Sequence, residues 1–159
     1  MSQLFLEQNA VIRVSRQAYK PVLALSLLAA LVGCSGSAPG NLGVQDGRLA
    51  PCPTSPNCVN SQASDSDKHI APLPLKGDRA QTQALLVKLL SREPRVTLVE
   101  QKEHYLRAEF ASKLLGFVDD VEFLIGEQHV DVRSASRLGY SDFDVNRKRI
   151  EQLRQRLSE

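Results

Sequence analysis

Thirteen consecutive residues without a charge, PVLALSLLAALVG at 21–33, run directly into Cys34 and constrain this chain more than any other feature. A helix needs about 20 apolar residues to cross a hydrocarbon core ~30 Å thick, so the run is too short to span. It fits the ~7–15 residues of a secretory h-region, and Arg13, Arg16 and Lys20 supply the positive flank before it. Residues 1–33 are therefore expected to be a signal peptide. The competing reading, a buried core helix, would have only a Gly/Ser/Pro segment beside it to pack against. The n-region is long and contains the atypical Glu7, so a true start downstream of Met1 is expected.

The end of the run, Leu31-Val32-Gly33-Cys34, resembles the lipobox of bacterial lipoproteins. That resemblance implies a diacylglyceryl thioether on Cys34, cleavage just before it and acylation of the new amine. Three acyl chains, at ~0.8 kcal/mol per buried methylene, would hold the protein almost irreversibly, whereas one holds it only marginally. Ser35 in the next position is similar to lipoproteins sorted to the outer membrane, facing the periplasm. Soluble export after ordinary signal cleavage is the alternative.

Cleavage would remove three of the 20 basic residues and one of the 18 acidic ones, leaving 17 of each sign. A neutral chain gives phosphate backbones little to bind, so no nucleic-acid partner is expected. The expected partners are the membrane, through its lipid anchor, and an envelope protein or an anionic small molecule.

The other two cysteines, Cys52 and Cys58, form an even pair in PCPTSPNC, in a compartment where disulfides persist. A disulfide is expected, against a metal or redox pair. Five intervening residues depart from C-x-x-C, and no His follows at zinc-finger spacing. Residues 34–48, rich in Gly, Ser and other small residues, read as a flexible tether. The folded domain is expected over 49–159, long enough for one core.

Within it, HIAPLPL at 69–75 is extended, with Pro72 and Pro74 confining it to an edge or a loop. Asp78 opens a helix, DRAQTQALLVKLLSRE, that Pro94 ends. Four strand patterns follow. Val96 and Leu98 mark the first, and Leu106, Ala108 and Phe110 the second; GFVDDVEFLIG is the third and, past a Gly126-Glu127 turn, QHVDVRSAS the fourth. A last helix is capped by Ser141 or Asp142 and carries Ile150, Leu153 and Leu157 on one stripe. The expected class is α+β: a two-layer sandwich in which two helices flank an antiparallel four-strand meander.

Three ordered blocks, CPTSPNCVNS at 52–61, GFVDDVEF at 116–123 and RSASRLGYSDFDVNRKRIEQLR at 133–154, are similar to the domain-of-unknown-function 1499 family of bacterial proteins. The resemblance covers nearly the whole domain and implies an exported or membrane-associated protein, without an activity or substrate. Where the family pattern has Gly this chain has Asp144, which leaves a glycine-type backbone conformation there open.

Arg133, Arg137, Ser141, Asn146, Arg147 and Arg149 gather around the start of the last helix, where free N–H groups and the dipole favour an anion. The competing reading pairs those arginines with Asp119, Asp120, Glu122 and Asp142 as a structural network. Asp119 stands out, because a carboxylate on an apolar strand face is costly unless paired, and Arg133 or Arg137 is its expected partner. His69, His104 and His129 form no H-E-x-x-H helix, and the chain has no G-x-S-x-G elbow or P-loop. Neither catalytic residues nor a metal or cofactor site are expected. Three classes stand: an envelope-tethered binding module, a purely structural lipoprotein, and a hydrolase of unrecognised type.

Overall fold

The computed structural model describes residues 36–159. The expected signal peptide and the lipidation site Cys34 lie outside the described residues. The described chain opens with two short paired strands, β1 (Val44–Gln45) and β2 (Arg48–Leu49). The turn between them, Asp46-Gly47, has both residues at positive φ, as a tight hairpin requires. Then come β3 (Cys58–Asn60), β4 (Leu73–Pro74), α1 (Arg79–Leu90), β5 (Val96–Lys102), β6 (Tyr105–Ala111), β7 (Val118–Ile125), β8 (His129–Ser136) and α2 (Val145–Ser158).

The domain is α+β, with two helices and a mainly antiparallel sheet in the order β3-β8-β7-β6-β5. The expected meander is present as β5 to β8 but is not the whole sheet. Both β3 and β4 pair with β8 and bring the count to six. At three residues and two, they are too short to show an alternation that sequence could reveal.

Helix α1 starts as its sequence dictates. Asp78 accepts from the Gln81 N–H at 2.8 Å, and the Gln81 side chain accepts from the Asp78 N–H at 3.0 Å, closing a capping box. A Cβ at Gly77, where φ is +73°, would overlap that Gln81 oxygen and push it out of the box, so glycine suits the turn on both counts. Helix α2 starts differently from expectation. Its N-cap is Asp144, in the left-handed region at φ 64°, after Phe143 at φ 55°. The Asp144 side chain caps nothing; the Asp142 carboxylate reaches forward to accept from the Asn146 N–H at 2.8 Å. Ser141 only accepts from the Phe143 N–H, at 3.3 Å.

Strand parity divides the sheet into two chemically distinct faces. Register places Phe110, Asp119 and Ser136 in one row, Ala108, Val121 and Ser134 in the next, and Leu106, Phe123 and Val132 beyond. Leu86 and Leu90 of α1 and Ile150, Leu153 and Leu157 of α2 pack on this face and complete the core. Each such side chain contributes roughly 2 kcal/mol by leaving water. The other face carries Tyr105, Arg107, Glu109, Asp120, Glu122 and Arg133. Alternation assigns that face to solvent, yet Asp120 and Glu122 are 1% and 0% exposed. The reason lies in the segment read as a tether. From residue 36 onward it is laid across this face, with the Gly43 N–H donating to Glu122 Oε1 at 2.7 Å and Leu49 buried. Among the described residues no helix is long and apolar enough to cross a membrane.

Candidate functional site

The disulfide expected from sequence joins Cys52 to Cys58, with Cα atoms 5.7 Å apart. It staples the covering segment to β3, whose three residues pair with Arg133, Ser134 and Ala135 of β8.

On the covered face the charges pair extensively, though the buried Arg107 Nε and Arg133 Nε have no hydrogen-bond partner. Glu122 accepts from Arg133 Nη1 at 3.0 Å and from the Tyr105 hydroxyl at 2.8 Å, besides Gly43. Asp120 accepts a fork from Arg137, Nε at 2.8 Å and Nη2 at 2.9 Å, and a third bond from Arg107 at 3.1 Å. Arg137 also pairs with Glu109 and donates to the Gly36 carbonyl at 3.1 Å. The Asp120 bonds, followed by Glu109, push the Arg137 guanidinium above its ordinary range. Burial first, and then the Glu122 charge, push the Tyr105 hydroxyl above its own.

Asp119 points to the opposite face, so neither expected partner can reach it. Arg133 and Arg137 project with Asp120 and Glu122 because side chains alternate along a strand. The partner of Asp119 is Arg149 of α2, Nη2 to Oδ2 2.5 Å, with the guanidinium 4.7 Å from the centre of the Phe110 ring. Arg149 also donates to Ser134 Oγ at 3.0 Å and to Asn146 Oδ1 at 2.6 Å. Asn146 is a hub: its amide donates to Asn57 O at 3.0 Å, Ser136 Oγ at 3.1 Å and Asp142 Oδ2 at 2.8 Å. The Asn57 side chain returns to the Gly139 carbonyl at 2.6 Å. Residues from the three sequence blocks at 52–61, 116–123 and 133–154 thus meet in one system of bonds.

The residues that sequence gathered into one cluster are therefore split by the sheet. Asp120, Arg133 and Arg137 lie on the covered face, and Asp119 and Asn146 on the helix face. Asp142 and Ser141 lie in the loop before α2. Arg147 turns outward and donates to the carbonyls of His69 and Asp67, both at 2.8 Å. An anion at the α2 start would have to displace the Asp142 carboxylate already there. His104 and His129 lie in or beside the β5–β6 and β7–β8 turns, at the far end of the sheet from Ser141.

Two clefts border these networks. The first, about 510 Å³, lies between the covering segment and β8 and is lined by Pro51, Cys52, Asn57, Asp120, Arg133 and Arg137 among others. Of the charged residues that line it, Arg137 is bonded to Asp120 and Arg133 to Glu122 behind the lining, while the buried Arg133 Nε has no hydrogen-bond partner. The second, about 560 Å³, opens at the end of the sheet where β6 stops, β7 starts and α2 begins. Phe110, Phe117, Leu138, Phe143 and Val145 give it apolar walls, the Asp119–Arg149 pair lies within it, and Arg95 and Lys148 border it. Sequence reasoning missed this cleft, because its walls come from four separate segments. The residues that signalled it were the apolar ones standing in loops, Phe117, Leu138 and Phe143.

The model of a family described as protein of unknown function (DUF1499) matches residues 48–157. No curated protein and no solved structure matches the chain.

Proposed function

The chain belongs to the DUF1499 family, and we propose that its domain is a binding module of the bacterial cell envelope. Acyl chains on Cys34 hold it to the outer membrane, on the periplasmic side, and the cleft at the end of the sheet takes a small amphiphilic ligand. The cleft is the observation that carries this reading. Its volume of about 560 Å³ falls in the ~300–1,000 Å³ of small-molecule sites, and it joins apolar walls to a few fixed polar groups. An anionic end of the ligand would meet Arg95 and Lys148 on the border, because Arg133, Arg137, Arg147 and Arg149 are already engaged. Recognition of an anion thus passes from the arginines flagged by the sequence to these two cations.

A second reading, a purely structural lipoprotein, draws support from the same engagement of these four arginines. One experiment separates the two. The lipoprotein is purified from membranes in mild detergent, as wild type and as Val145→Trp, which fills the cleft from a half-exposed position on its wall. Bound small molecules are then identified by mass spectrometry. The binding reading expects an amphiphile on the wild type that the variant lacks. A wild type without one, or a variant that keeps the same compound, supports the structural reading instead.

A further inference from the structure

We propose that the end of the domain carrying this cleft inserts apolar side chains into the interfacial layer of the bilayer, so that protein as well as lipid holds the module on the membrane. The inference rests on the acylation of Cys34 put forward above. Leu114 and Leu115, in the β6–β7 loop, are 90% and 67% exposed; Tyr140 and Phe143, in the β8–α2 loop, are 77% and 83% exposed. Large apolar groups gathered at one end of a soluble domain mark a surface that meets something apolar. The two loops share that end: Ser112 and Phe117, which bracket the first, line the same cleft as Leu138 and Phe143 from the second.

What covers the surface follows from where the chain enters. Gly36 lies against the second loop, so that a Cβ there would be 3.3 Å from Leu138 Cγ, and Arg137 holds its carbonyl at 3.1 Å. Cys34 is two residues earlier, and two residues reach at most about 7 Å. The acyl chains therefore leave the domain beside the exposed leucines and aromatics, and the bilayer surface comes to them. Interfacial segments bury their apolar faces by about 5–10 Å, within reach of side chains of this size, and Tyr and other amphipathic rings favour that layer. Apolar side chains make the contact, and Arg95 and Lys148 at the cleft border add attraction to anionic headgroups. The cleft then opens towards the membrane, which is where an amphiphile would be met.

The chain has no Trp, so a single introduced Trp is an unambiguous reporter. Acylated full-length protein carrying Leu115→Trp, Phe143→Trp or Glu127→Trp is reconstituted into phosphatidylethanolamine/phosphatidylglycerol vesicles with brominated acyl chains. Glu127, in the β7–β8 turn, stands at the opposite end of β7, about 25 Å away. All three proteins should float with the vesicles. The Leu115→Trp and Phe143→Trp proteins should shift to the blue and lose most of their emission to bromine, while Glu127→Trp keeps its own. Floating Leu115→Trp and Phe143→Trp proteins whose emission matches that of Glu127→Trp would overturn the docking and leave the anchor intact. Proteins that do not float would overturn the anchor, and the docking with it.

Discussion

Arg149 of α2 and Asp119 of β7 close the interface between helix and sheet, at 2.5 Å, over the ring of Phe110. Both side chains are about 12% exposed, so little water is left to solvate either charge alone. Removing one partner of such a pair strands the other. Asp119→Asn should destabilise the domain by about 3 kcal/mol, read from its urea midpoint. A double-mutant cycle with Arg149→Met should show strong coupling. One with Arg137→Met, on the other face of the sheet, should show almost none.

Much of this architecture was legible. The Asp78 cap, the alternation of β6 and β8 and the even pair of cysteines each has a local cause, and each stands where it was expected. The partner of Asp119 was legible too, in a signal left unused. Asn146 and Arg149 lie on the same stripe of α2 as Ile150, Leu153 and Leu157, and Asp119 lies on the apolar face of β7. Polar groups on two apolar surfaces that pack together must meet each other. The burial of Asp120 and Glu122 was not legible, because alternation reports which face a residue takes and not what a distant segment later lays over it. Residues 36–57, poor in any period, gave no sign that they would provide that cover.

The cross-link between Cys52 and Cys58 closes a loop of sequence separation 6, and Cys58 is almost fully buried. In the chain-entropy model such a loop contributes about 2 kcal/mol, less whatever Pro53 and Pro56 already remove from the unfolded chain. Reductant should lower the urea midpoint of the wild type accordingly. The Cys52→Ala/Cys58→Ala protein should begin at the lower value and not respond to reductant.

At position 144 an Asp sits at φ 64° and ψ 17° with no cap bond to repay the strain. Glycine takes that region without steric cost, and the left-handed form costs most other residues roughly 1–2 kcal/mol, with Asp towards the lower end. Asp144→Gly should therefore raise the melting temperature, by an amount equivalent to a few tenths to ~1 kcal/mol. Asp144→Val, β-branched, should lower it.

Tyr105 supplies a pH dependence on the alkaline side. Its folded pKa lies above the ordinary ~10 of the unfolded chain, so its contribution is complete below pH ~10. It is lost as pH rises beyond that, where the unfolded chain releases the proton and the folded one retains it. Melting temperatures from about pH 8 to 11 should fall more steeply for wild type than for Tyr105→Phe. At about pH 7 the variant should lose about 1.5 kcal/mol, for one hydrogen bond to the charged Glu122 that Gly43 and Arg133 partly replace.

The central claim is that Cys34 carries the lipid that brings this domain to a membrane, and metabolic labelling with palmitate tests it most directly. Wild-type protein expressed in a bacterial host should take up the label and begin, once the amine is accounted for, at Cys34; Cys34→Ala should take up none. A wild type that stays unlabelled with residues 1–33 still attached, or an equally labelled Cys34→Ala, would contradict the account.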